Sequence, residues 1–286
     1  MLKRSNLQSK FLLLLVFAVS LGGCSFKSMY NQLDWLLLGM VEDFVSLSDK
    51  QELDINRRIK HLLDWHRTEQ IPLYIQDLQR IKQFTAVGLT DDSTKDVLEM
   101  IMQRWSALKS RVATDMAAAL MTVDETQKAG IYAEIENRNR EIREEYDGLT
   151  GEERQERISE RIIENFERWL GDLNDAQKAL VRERVSELRP IHEERLAFRA
   201  SWQQAFRKVM DSEPDQQAQI GKLTELFAYP EKWQSDVYKE KLAHNSAQVR
   251  QMVLSVDRTL TGEQKAHLQA RIDYFIGLLQ GIADGE

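Results

Sequence analysis

The densest cluster of polar and aromatic side chains in the sequence lies between Asp64 and Tyr74. A histidine among carboxylates and an arginine can bind a ligand, or act as a general acid or base once its pKa is tuned. His66 could instead hydrogen-bond to Glu69 or Gln70 one turn later, in a network that supports a helix kink at Pro72. Both interpretations stay open. A catalytic site would also need a nucleophile and an oxyanion donor, and the sequence shows neither. The candidate residues are Asp64, Trp65, His66, Arg67, Glu69 and Tyr74.

The rest of the sequence contains no recognisable catalytic or cofactor-binding motif. It has no glycine-rich phosphate loop, serine nucleophile elbow or calcium-binding loop. His192 and Glu193 begin like a zinc-protease helix, but the position of the second histidine holds Leu196, which cannot bind a metal. No glutamate lies three residues before a histidine, as in di-iron bundles. We therefore predict no metal, no cofactor and a non-enzymatic protein.

The composition predicts an all-α protein, so helices must position this cluster. The chain has 286 residues, of which 42% are hydrophobic and 30% charged, which is enough to bury a core. Four prolines and 13 glycines are few for a protein made of strands and turns. The net charge of −7 argues against nucleic acid as a partner, and a single cysteine excludes a disulfide within the chain.

The N-terminus has the organisation of a secretory signal peptide. Lys3, Arg4 and Lys10 carry positive charge and precede an uninterrupted apolar run over residues 11–19. This run is much shorter than the roughly 20 residues that an anchor helix needs to cross a bilayer. The segment is therefore predicted to direct export and then to be removed.

The next residues, Leu21-Gly22-Gly23-Cys24, resemble the lipobox of bacterial lipoproteins. The resemblance implies that residues 1–23 form the signal peptide, and that Cys24 is acylated by fatty acids such as palmitate and begins the mature chain, 24–286. Several acyl chains make such an anchor stable. Ser25 stands where an aspartate would retain a lipoprotein in the inner membrane, so the resemblance implies the outer membrane, facing the periplasm.

The mature chain shows apolar residues at helical spacing almost throughout. We predict an elongated multi-helix bundle of about eight or nine helices, the first over residues 29–46. Its apolar run, residues 36–41, is too short to cross a membrane. The tether between Cys24 and this helix is only a few residues long, so the fold should lie close to the membrane.

Four helix starts are marked by a leucine followed by Ser, Thr or Asn and, three residues later, by Gln or Glu. This arrangement is a capping box, in which the first side chain and the last each bond to the backbone near the other. A fifth start is predicted at Thr90. The four pairs are Ser48 with Gln51, Thr150 with Glu153, Asn174 with Gln177, and Thr261 with Gln264.

The organisation of the mature chain is predicted to be a single helical domain. Pro72 and Pro190 should each kink or split a helix. A subdivision near residues 121–130 is the alternative.

Residues 134–168 are highly charged and should form solvated helices with one apolar edge, or an acidic docking surface. The six tryptophans are expected to fill the core.

Three stretches resemble a family of uncharacterised proteobacterial lipoproteins: residues 30–36, residues 63–67 together with Pro72 and Tyr74, and residues 166–171. This resemblance implies no activity and no functional residues. The capping frames also resemble those of Spy-like periplasmic chaperones. We therefore expect a lipid-anchored binding or scaffold protein with an envelope protein as its partner. The alternatives are a chaperone that binds unfolded clients and a hydrolase of envelope polymers.

Overall fold

The computed structural model describes Tyr30, residues 32–212 and residues 215–285. All regular secondary structure in these ranges is helical, which confirms the predicted all-α class. The ranges hold ten continuous helices, one of them with a π turn inside it, and a short 3-10 turn at Pro230–Trp233. The predicted signal peptide, the lipobox-like residues 21–24 and Ser25 lie outside the described residues.

The helices are numbered α1 to α11 in chain order, and α2 and α3 are the two halves of the helix that contains the π turn. Their bounds are α1 Leu33–Glu42, α2 Asp49–Trp65, the π turn His66–Gln70, α3 Ile71–Val87, α4 Asp91–Leu120, α5 Glu125–Asp147, α6 Gly151–Leu170, α7 Asp175–Ser186, α8 His192–Met210, α9 Gln216–Ala228, α10 Asp236–Asp257 and α11 Gly262–Ala283.

The described chain forms two compact units, each made of segments that are not consecutive in sequence. Unit 1 contains the described residues up to Ile75, the segment 122–150 and the residues from Phe275 onward. Unit 2 contains the segments 76–121 and 151–274. The chain passes from unit 2 to unit 1 between residues 121 and 122, within the segment where the sequence suggested a subdivision. Both units nevertheless contain residues from before and after this point.

Unit 1 has a core in which the first and last described parts of the chain meet. Tyr30, Ile71 and Ile282 are buried together, and Leu33 and Leu279 pack against them. The arrangement is stabilised by removal of apolar surface from water. In the same unit the α5 residue Arg138 pairs with Glu134 at 2.7 Å and lies over the Phe44 ring, 4.0 Å from its centroid.

Unit 2 has a hydrophobic core cluster between α6, α7 and α10. Ile163, Val181 and Met252 are among its buried members, and Trp169 packs against them from the partly buried edge of α6. The charged helix α6 therefore lies on the core by one apolar edge, as its sequence pattern predicts. The left-handed Gly88 ends α3 with φ +94, and the amide of the next residue donates to buried Asp257 at 2.9 Å.

The capping frames mark helix starts at all the predicted positions. Helices α2, α6, α7 and α11 begin directly after Ser48, Thr150, Asn174 and Thr261. Helix α4 follows Thr90, and its box is closed by the hydroxyl of Ser93, which accepts from the Thr90 amide at 2.9 Å. Pro190 separates α7 from α8.

Two pairs of capping boxes are joined through their closing glutamines, an arrangement that we call a glutamine clasp. In unit 1 the amides of Gln51 and Gln127 donate to each other's oxygen at 2.9 and 2.8 Å. In unit 2 the amides of Gln177 and Gln264 do the same at 2.9 and 3.0 Å. Each oxygen also accepts the backbone N–H at the start of its own helix.

The remaining amide hydrogens of each clasp also have partners. Every glutamine donates to the carbonyl that lies two residues before the capping residue of the opposite helix, at 2.7 to 3.1 Å. Each clasp therefore ties two helix starts that are 76 or 87 residues apart in sequence. Because the donors and acceptors are satisfied, the pair in unit 2 can be buried without a large desolvation penalty.

Candidate functional site

The predicted polar and aromatic cluster lies in unit 1 on the π turn between α2 and α3. The Ile71 amide donates to the carbonyl of His66, five residues earlier, instead of the usual four. Pro72 follows at once, and its ring would clash with a carbonyl in a regular α-helix while its nitrogen cannot donate. The wider π turn accommodates the proline, so the helix continues through Pro72 and is not split there.

The π turn presents His66 to two tyrosines. The hydroxyl of Tyr30 lies 3.1 Å from His66 Nδ1 and 3.4 Å from the Leu63 carbonyl oxygen. The Tyr30 ring stacks on the imidazole with 6.0 Å between centroids, and the Tyr74 ring is tilted against it at 5.5 Å. His66 is thus enclosed by aromatic rings and hydrogen-bonded to one of them.

Burial decides the protonation of this pair. Removal from water disfavours the imidazolium ion and lowers the pKa of His66 from 6.5 to about 4. Burial also raises the pKa of the Tyr30 hydroxyl, while the nearby Arg67 guanidinium acts in the opposite direction. At neutral pH the pair is therefore a neutral imidazole and a neutral phenol, which suits a structural hydrogen bond better than proton transfer.

The other candidate residues are divided between the interior and the surface. Trp65, Arg67 and Tyr74 are half-buried, and the Arg67 guanidinium lies 5.8 Å from the centroid of the Tyr30 ring. Asp64 and Glu69 are exposed. The structure therefore brings His66, Arg67 and Tyr74 together around Tyr30 and leaves the two carboxylates of the cluster at the surface.

Sequence reasoning missed two features of this cluster. Tyr30 is the hydrogen-bond partner of His66 although the two are 36 residues apart, a separation that no helical spacing rule connects. Gln70 is buried, and its side-chain oxygen has no hydrogen-bond partner within the described part of the chain; the same is true of Arg67 Nε. The sequence signal for the burial of Gln70 was its position directly before Ile71 and Pro72, in an apolar helical pattern.

A second surface of functional interest is a row of exposed apolar side chains on α4, in unit 2. The prediction that all six tryptophans fill the core is wrong for Trp105 in this row and for Trp35 on α1. The row, called here the α4 stripe, follows the i, i+3, i+4, i+7 spacing of a single helix face, and each side chain is 38 to 56% exposed. It consists of Leu98, Ile101, Met102 and Trp105.

The described residues hold neither a metal-binding cluster nor a membrane-spanning helix. No group of three or more His, Cys, Asp or Glu side chains there is arranged to hold a metal ion. Within the same ranges, no helix combines the length and the hydropathy needed to cross a bilayer. The apolar run on α1 belongs to a helix of ten residues.

The fold and the sites described so far define the class of this protein as an all-α protein with a half-buried histidine on a π turn and an exposed apolar helix face. The chain belongs to a family of unknown function, DUF6279, whose model matches residues 43–239. The match covers more than half of the chain and agrees with the resemblance to an uncharacterised family. No curated protein and no solved structure matches the chain.

Proposed function

We propose that this protein is a lipid-anchored lipoprotein that acts as a non-enzymatic binding or scaffold protein at the periplasmic face of the outer membrane. The signal peptide, the lipobox-like residues 21–24 and Ser25 support the anchor and the location. Acylated Cys24 joins the protein to membrane lipid, and an envelope protein is its partner. No cofactor takes part.

The observation that carries the binding function is the α4 stripe. Monomeric proteins rarely leave apolar side chains in one contiguous row, and such rows mark interaction surfaces. Four apolar residues over two turns of helix match the way one helix packs on another through i, i+3, i+4 and i+7 anchors. The partner that fits is therefore an envelope protein that presents an amphipathic helix.

Site-specific photocrosslinking in cells tests this function. A crosslinking amino acid at Met102 should capture one reproducible envelope protein, because this position lies within the α4 stripe. The same group at Gln103, which is exposed on another face of the helix, is the matched control and should capture it much less. Equal capture from both positions would contradict the role of the stripe.

The anchor is tested separately through Cys24. The Cys24→Ala variant should lose fatty-acid labelling and remain uncleaved or become soluble, because the thiol that receives the lipid is gone. Labelling that persists in this variant would reject the lipoprotein assignment. Crosslinking from Met102 would then still report on the partner.

The alternatives predict other outcomes in the same cells. A Spy-like chaperone would crosslink to a broad range of unfolded clients, and the purified protein would suppress their aggregation. A hydrolase of envelope polymers would lose its phenotype when His66 is replaced while the protein stays folded. The neutral pair of half-buried His66 and buried Tyr30 gives the hydrolase no specific support.

A further inference from the structure

The short tether of the protein restricts which surface can face the membrane. Five residues lie between Cys24 and Tyr30, and the six residue-to-residue steps from one to the other span at most about 20 Å when fully extended. Tyr30 is not free to move away from the fold, because its side chain is buried against Ile71 and Ile282. A lipid on Cys24 therefore holds unit 1 within about 20 Å of the bilayer surface.

The large apolar group nearest to this tether is Trp35. It lies five residues after Tyr30, in the first turn of α1. Its side chain is 74% exposed, more than that of any other aromatic residue in the described ranges. The other large side chains of α1 face inward to a greater degree, and Leu38 is buried.

The face of α1 around Trp35 has the character of a surface that lies at a lipid interface. Gln32 and Glu42 share this face and are exposed, so the indole is bordered by polar groups. A Cβ added at Gly39, on the same face, would meet no described atom within 4 Å, so the described residues leave this position open. Tryptophan favours the headgroup region because its ring is apolar and its N–H can donate to polar groups.

We infer that α1 lies along the membrane surface and inserts Trp35 into the headgroup region of a zwitterionic phospholipid layer. The inference rests on the proposed acylation of Cys24. A zwitterionic surface fits because the mature chain is acidic: the full chain carries −7, and loss of Lys3, Arg4 and Lys10 with the signal peptide makes it −10. The chain also exposes Glu42 and Asp43 at the end of α1, which an anionic surface would repel. The tether supplies the attachment, and Trp35 fixes which face of unit 1 meets the lipid.

Quenching of tryptophan fluorescence by brominated lipid tests this contact. The full lipidated protein is placed in phosphatidylcholine vesicles with bromines near the headgroup end of the acyl chains. Bromine should lower the emission by up to about one sixth, since one of six tryptophans would be in contact. The Trp35→Phe variant should lose this effect, whereas Trp105→Phe, which removes the exposed tryptophan of α4, should retain it.

Flotation of the same vesicles separates failure of the anchor from failure of the contact. Co-flotation with quenching that depends on Trp35 supports the inference. Three results would overturn the inference while the protein still floats: equal quenching in wild type and Trp35→Phe, loss of quenching in Trp105→Phe, or no quenching at all. Each of these results leaves the anchor intact. Protein that does not float, as expected for Cys24→Ala, rejects the anchor and the inference together. Circular dichroism confirms that both tryptophan variants stay folded.

Discussion

Acidification should destabilise this protein, and His66 is one residue through which it acts. In the unfolded chain a histidine binds its proton near pH 6.5, whereas burial in the folded protein lowers the pKa of His66 to about 4. Below pH 6.5 the unfolded state therefore binds more protons than the folded state. The contribution of His66 to stability is complete above pH 6.5 and is lost as the pH falls towards 4.

The two pKa values give the size of the effect. Between pH 7 and pH 5 the free energy of unfolding should fall by about 2 kcal/mol because of His66 alone. By pH 4 the loss approaches about 3 kcal/mol. Since small domains are stable by only about 5–15 kcal/mol, this is a measurable fraction of the total.

Urea unfolding at pH 7, 6 and 5 measures the effect when wild type is compared with His66→Gln. The glutamine keeps a polar group near Tyr30 but cannot titrate, so the variant should lose about 2 kcal/mol less than wild type over this range. Carboxylates titrate in both proteins and cancel in the comparison. His61→Gln, on the exposed side of α2, controls for the removal of a histidine.

Two results would refute the reasoning. Parallel curves of stability against pH for wild type and His66→Gln would show that the imidazole does not change protonation between the folded and unfolded states. An NMR titration of the folded protein in which the His66 ring protons change near pH 6.5 would show directly that burial does not lower its pKa.

The remaining predictions concern the helix ends. Gln177→Ala should lower the free energy of unfolding by roughly 2–4 kcal/mol in urea titrations. The reason is that the Gln264 amide and the Asn174 N–H each lose one hydrogen-bond partner at this buried glutamine. A loss below about 0.5 kcal/mol, the value typical of surface sites, would contradict the clasp. Gly88→Ala should cost about 1–2 kcal/mol, since an alanine at φ +94 is strained. Gly130→Ala, inside α5 with open space around a new methyl group, should instead stabilise by about 0.5–1 kcal/mol, and thermal melts should separate the two in sign.

The family match could not have indicated the pairing of His66 with Tyr30, because Tyr30 lies before the matched residues 43–239. The sequence did identify the neighbourhood correctly, since Pro72 in an apolar helical pattern requires a local change in the helix. The sequence could not identify Tyr30 as the partner of His66, because a contact across 36 residues depends on how Tyr30 packs against α2 and α3. The expected hydrogen bond to Glu69 or Gln70 followed helical spacing, which the π turn alters.

The sequence by itself determined the all-α class and the helix starts, because helical periodicity and capping depend on residues within one or two turns of each other. Even the box missed at Asp124 and Gln127 could be read locally once aspartate is accepted as a cap. The tertiary structure alone decided that Gln51 meets Gln127 and Gln177 meets Gln264. It also decided that Trp35 and Trp105 remain exposed. These outcomes depend on packing between segments far apart in the chain, and the side-chain type at one position does not reveal which surfaces the rest of the chain will cover.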